Sequence, residues 1–133
     1  VTGDIIVPVA SGADIMVARL EGRKLAESIG MNGTDLTVVA TAISEVARNI
    51  VEYAKSGRLT FRVVHQGSRH GILVQAEDQG PGIADIDLAM QDGYSTGRGL
   101  GLGLPGSRRL MDEFELISVP GKGTTVRMTK WLR

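Results

Sequence analysis

DQGPGIADIDLAMQDGYSTGRGLGLGLPG, Asp78–Gly106, decides how this chain is read. It holds eight of the 18 glycines in 133 residues, so the glycine is concentrated at one place instead of spread periodically or through a disordered chain. It follows a segment that reads as a strand, Gly71–Ala76, and precedes one that reads as a short helix from Ser107 to Phe114. Only Ile86–Met90 suggests a helix within it. Irregular stretches of that length in a small domain are usually functional.

Working backwards, Leu59–His65 alternates as a second strand, and Gly67-Ser68 joins the two as a hairpin. Before it, Leu36, Ala40, Ile43, Ala47, Ile50 and Ala54 recur at steps of four and three, which predicts a helix capped by Thr34 and ended by Ser56-Gly57. Ser11 opens an earlier helix, with Asp14 three residues on, and Met16 and Leu20 among the apolar residues carrying it to about Ile29. Asp4–Val9 reads as a strand that Pro8 assigns to an edge. Working forwards, Glu115–Val119 and Thr125–Trp131 read as strands around a turn at Gly121–Gly123. The expected fold is α+β, a two-layer sandwich with helices on one face of a mainly antiparallel sheet, in a single domain over 1–133.

Composition narrows the function. Fifteen basic residues balance fifteen acidic ones, which argues against nucleic-acid partners or anionic membranes. The absence of cysteine removes disulfide and thiolate chemistry. No apolar run approaches the roughly 20 residues of a membrane span, and no secretory pattern opens the chain, so a cytoplasmic protein is expected.

Four short motifs carry candidate chemistry. On the second helix, Thr37, Thr41, Arg48, Glu52 and Lys55 form the solvated wedge at about 100° per residue, while Glu45 and Asn49 project beside Val38, Ala42 and Tyr53. One turn apart, they suit a ligand or metal above them, or a plain surface hydrogen bond. In Asp78–Ile83, the aspartate at a strand end can accept a bond from a buried donor, and Gly80 and Gly82 permit positive φ or close approach; an ordinary turn has the same composition. Gly97–Gly106, ahead of a helix, exposes backbone N–H groups suited to phosphate. Its formal dinucleotide pattern, Gly101-x-Gly103-x-x-Gly106, lacks the preceding strand and later acidic residue, and GxxxxGK[ST] is absent. Gly121–Val126 is a turn and strand whose Thr124 or Thr125 can offer a hydroxyl.

In order, these pieces resemble the nucleotide-binding boxes of the GHKL (Bergerat-fold) superfamily of gyrase, HSP90, histidine kinases and MutL. Glu45-x-x-x-Asn49 resembles the N box, Asp78-x-Gly80-x-Gly82 and Gly99-x-Gly101-x-Gly103 the glycine boxes, and Gly123-Thr124 the last. Asp4–Val9 and Gly101–Leu116 are most similar to the small bacterial serine/threonine kinases of that superfamily, which include anti-sigma factors and stressosome switch kinases. The resemblance implies ATP and Mg²⁺ as cofactors, with Asp78 on the adenine amino group, Thr124 near the base and Asn49 on Mg²⁺. It places the phosphates on Gly99, Gly101 and Gly103, with Arg98 as a γ-phosphate candidate. Glu45 is then the catalytic base for a protein hydroxyl. Kinases of this kind phosphorylate STAS-domain partners, which act as substrate and scaffold, and on release engage a downstream output protein. An anti-sigma kinase and a non-catalytic ATP-gated switch are the alternatives. Docking is expected over 93–103 and the start of the second helix.

Overall fold

The computed structural model describes residues 3–82 and 104–132. Five strands, β1 (Ile5–Val9), β2 (Gly57–Gln66), β3 (Arg69–Asp78), β4 (Glu113–Val119) and β5 (Gly123–Trp131), form one sheet in the order β1-β2-β3-β5-β4. Every neighbouring pair is antiparallel. Helices α1 (Gly12–Ser28) and α2 (Thr34–Asn49) pack on each other and on one face of that sheet, with a shorter α3 (Leu104–Leu110) against α2. This is the expected α+β two-layer sandwich.

Strand alternation builds the core. Leu59 and Phe61 of β2, Ile72, Val74 and Ala76 of β3, and Val126 and Met128 of β5 are buried under the helices. Their neighbours Arg58, Arg62, Gln75, Glu77 and Arg127 turn to the other face. Opposite the strands, α2 buries Leu36, Val39, Ala40, Ala42, Ile43, Val46 and Ala47, the 3.6-residue stripe read from the sequence. The face of α1 turned inward is made of small residues, Ala18, Gly22 and Ala26 with Leu25. A Cβ on Gly22 would stand 2.3 Å from Ile43 Cδ1, so glycine lets α1 lie close on α2.

Several local expectations change. Ser11 caps α1 through Asp14 N, but Met16 and Leu20 do not join its buried side; they are 67% and 56% exposed. The N-cap of α2 is Gly33 at φ +58, which offers no side-chain bond, and Thr34 is the first helical residue. The helix of the third segment runs over Leu104–Leu110, and Glu113 and Phe114 already belong to β4. The end of α2 differs most. After Asn49 the helix widens to a π turn, Ile50–Ala54, and Lys55 at φ +74 closes it. The helix suggested at Ile86–Met90 lies outside the described residues.

Candidate functional site

The π turn has a packing reason. Two residues beyond the end of β3, Gly80 lies against Ala54, so close that a Cβ on it would meet Ala54 Cβ at 2.6 Å. π turns concentrate at functional sites, where they re-aim the residues around them. Here the turn presses the end of the second helix onto the DQGPG segment. The last turn of α2, with Glu45 and Asn49, therefore shares one end of the sandwich with Asp78. Val9, Gly57, Asp78 and Thr124 occupy that same end in register across four strands.

Asp78 is half-buried, and its Oδ1 accepts from Gly80 N at 2.9 Å. That bond fixes the carboxylate plane and leaves Oδ2 to accept from a donor above the sheet. Directly opposite on β5, Thr124 Oγ1 lies 2.9 Å from Ser118 Oγ, and Ser118 also donates to Gly123 O at 3.2 Å. The threonine hydroxyl is thus tied to β4 as well as facing the aspartate's strand. Of the two glycines singled out between Asp78 and Ile83, only Gly82 has positive φ, +75; Gly80 serves by close approach.

Gly123 is a structural element of the site that the turn reading undervalued. Its φ is +118, and an added Cβ would sit 2.1 Å from Asp78 O. Gly123→Ala is expected to cost about 2 kcal/mol or more, from left-handed strain plus displacement of the Asp78 backbone. Urea denaturation measures that loss. Unchanged stability would mean that the β3–β5 approach is looser than this contact requires.

Glu45 sits on the solvent side of the helical layer with its side chain 32% exposed, and its Oε1 pairs with Arg48 Nη1 at 2.9 Å. The sequence reading assigned Arg48 to the solvated wedge and missed this contact, which an i,i+3 spacing allows. Asn49 follows Glu45 by one turn, half-buried, immediately before the π turn. A carboxylate and an amide at the open end of a helix, beside a strand-end carboxylate, fit a hydroxyl-bearing acceptor, a hard cation and a donor-rich base respectively. Arg98, Gly99, Gly101 and Gly103 lie outside the described residues.

The sheet's other face carries a separate groove of about 630 Å³. The cross-strand row Arg58, Glu77, Thr125 and Ile117 lines it, together with Lys122. It touches Asp78 and Thr124, yet strand alternation turns those two side chains toward the helices and away from it. There, Gln75 Nε2 donates to Glu77 at 2.9 Å and holds that carboxyl below its usual range, with Arg58 adding to the effect. The groove therefore opens on the sheet face opposite the helices that carry Glu45 and Asn49.

Comparison with known proteins adds an independent line. Residues 34–133 match the model of the histidine kinase-, DNA gyrase B-, and HSP90-like ATPases. The chain is 51% identical over 120 residues to the serine/threonine-protein kinase RsbT of Bacillus subtilis (strain 168), covering 90% of each. It is 36% identical over 104 residues to an anti-sigma F factor of Thermoanaerobacter sp. (strain X514), covering 74% of this chain and 71% of that one. Among solved structures, the catalytic domain of histidine kinase ThkA superposes with a TM-score of 0.56 at 12% identity, covering 95% of both chains, a likeness of fold.

Proposed function

The chain belongs to the histidine kinase-, DNA gyrase B-, and HSP90-like ATPase family as a protein serine/threonine kinase, and on that premise we propose how its residues act and on whom. Residues 1–133 work as one domain that moves the γ-phosphoryl group of Mg-ATP to a serine or threonine of a STAS-domain partner. The partner is substrate and scaffold in a bacterial stress-signalling switch of the stressosome type. Once released from it, the kinase engages a downstream output protein.

The observation that carries this reading is the junction of helix end and strand end, with Ala54 against Gly80. It brings the ends of α2 and β3 together, which supports reading Asp78 as the adenine acceptor, Asn49 as the cation ligand and Glu45 as the base. Asp78 Oδ2 accepts from the adenine amino group, and Thr124 borders the base. Asn49 offers its side-chain oxygen to Mg²⁺. Bound Mg-ATP supplies the phosphoryl group, and the ion offsets charge that builds on it. Glu45 orients the acceptor hydroxyl and takes its proton as the oxygen bonds to phosphorus and the bond to the bridging oxygen breaks, releasing ADP. For that, the glutamate must present Oε2, or free Oε1 from Arg48. A histidine acceptor, already nucleophilic, would need no such base. No helix among the described residues is long and apolar enough to cross a membrane.

Incubation with γ-labelled ATP and STAS-domain proteins from the same source, followed by mass spectrometry, tests the proposal. Label on a serine or threonine is the expected result. The 36% identity to an anti-sigma F factor favours one second reading, a kinase that also holds a sigma factor. Tight sigma-factor binding would establish it. Partner binding that needs ATP but never yields phosphoprotein would instead make the chain a non-catalytic switch.

A further inference from the structure

The closed end of the β2–β3 hairpin holds two imidazoles that neither the core nor the nucleotide end uses. His65 and His70 stand opposite each other in the register, with ring centroids 4.6 Å apart and ring planes at 84°. Both residues are exposed. The turn between the strands is only Gly67-Ser68, with Gly67 at φ +62, and so short a loop fixes which residues face each other. The N–H and C=O of one strand residue point to the same side, and His70 O accepts from Leu132 N at 2.8 Å. The backbone of His70 is therefore turned away from His65. The two form a non-hydrogen-bonded cross-strand pair, the kind whose side chains approach most closely, with Cα atoms about 4.5 Å apart.

The surroundings leave this pair open. Strand alternation puts both rings on the side of the sheet that carries the helices. There, β1 stops pairing with β2 at Phe61, and the helical layer leaves both histidines exposed. Arg69, next to His70 in the chain, turns to the opposite face, where it donates to Gln66 and lies 4.3 Å from the centre of the Trp131 ring. Its charge is thereby held away from the gap between the imidazoles. Among the described residues, each ring has the other as its one recorded partner. A single exposed histidine is an ordinary surface residue, whereas two held in register are a chelate.

We propose that His65 and His70 form a two-imidazole site for a divalent transition-metal ion of the copper, nickel and zinc group. Imidazole suits these ions, and Cu²⁺ binds a given nitrogen site most tightly of them. One nitrogen from each strand reaches the ion after rotation of the exposed side chains. Water completes the coordination, since no group of three histidine, cysteine or carboxylate ligands occurs among the described residues. The chain has no cysteine, so no thiolate competes for the ion. Once one imidazole binds, the hairpin presents the second at high effective concentration, which gives the pair an affinity that a lone histidine lacks. Gly57, at the nucleotide end of β2, is about 26 Å from His65 at 3.3 Å per residue. The ion thus acts as a removable staple on the two strands, far from ATP. The inference goes beyond the kinase reading and does not depend on it.

The test titrates the full chain, free of any affinity tag, with Cu²⁺. Calorimetry should give one ion per chain, and electron paramagnetic resonance should show two imidazole nitrogens on it. His65→Gln and His70→Gln should each weaken binding at least about 10-fold. Neither should change the Tm of the metal-free protein, because both side chains are exposed. At about 100 times its Kd, Cu²⁺ should raise the wild-type Tm by about 5 °C or more, and either substitution should cancel the rise. Wild-type affinity in His65→Gln/His70→Gln puts the ion elsewhere and overturns the site. A signal from one imidazole, or an ion shared between two chains, overturns the chelate within the hairpin. Binding with no rise in Tm overturns the staple. Each of these outcomes leaves the kinase reading standing.

Discussion

Asp78→Asn is expected to weaken ATP binding by about 1.5–3 kcal/mol, roughly 10- to 150-fold, while the protein stays folded. The site has one acceptor available at the end of β3, because Gly80 N already occupies Oδ1. A carboxylate makes that second bond charge-assisted, whereas an amide is neutral and presents a donor if its oxygen stays with Gly80. The loss should be specific to the base, with GTP hardly affected because guanine carries a carbonyl where adenine carries the amino group. Calorimetry measures it directly. Unchanged ATP affinity in a folded Asp78→Asn protein would remove Asp78 from adenine recognition.

Glu45→Ala should divide binding from chemistry. Transfer to the protein hydroxyl is expected to fall by about 10²-fold or more, with ATP affinity kept, since a general base acts on the acceptor and not on the nucleotide. Asn49→Ala, one turn on, should do the reverse in its first effect and lose the Mg-dependent part of ATP affinity. Quench-flow transfer rates beside equilibrium ATP titrations distinguish the two. Arg48 sharpens the test, because its guanidinium holds Glu45 Oε1 at 2.9 Å and the base must act past that contact. Glu45→Ala transferring at the wild-type rate would assign the base role elsewhere.

Much of this architecture was legible because its signals are periodic or local. The stripe of α2 from Leu36 to Ala47 and the alternation of β2 report the sides they bury, and the turn at Gly67-Ser68 joins β2 to β3 as expected. Asp78, Gly80 and Gly82 were visible as a motif, but the reason for Gly80 was not. It depends on Ala54, 26 positions earlier, and on a π turn that no 3.6-residue count anticipates. Gly123 was read as a turn residue, whereas its tightest contact is Asp78 O on a strand whose pairing with β5 is long-range. Met16 and Leu20 misled because an apolar helical stripe is ordinarily core; the small residues Ala18, Gly22 and Ala26 took that place. Arg98, Gly99, Gly101 and Gly103 were read from glycine spacing and resemblance, and lie outside the described residues.

The π turn also bears on how this chain tolerates changes in length. A π turn closes its hydrogen bonds from i to i+5 where an α-helix closes them from i to i+4, so Ile50–Ala54 carries one residue more than a regular turn needs. Removing one residue there would let the helix revert to regular winding without disturbing the orientation of Glu45 and Asn49, which precede it. The cost would fall on the seam with Gly80, which the surplus residue lets Ala54 reach. An alignment that places a one-residue gap between Asn49 and Gly57 would then mark a relative whose helix is continuous and whose two halves of the site are joined by some other contact.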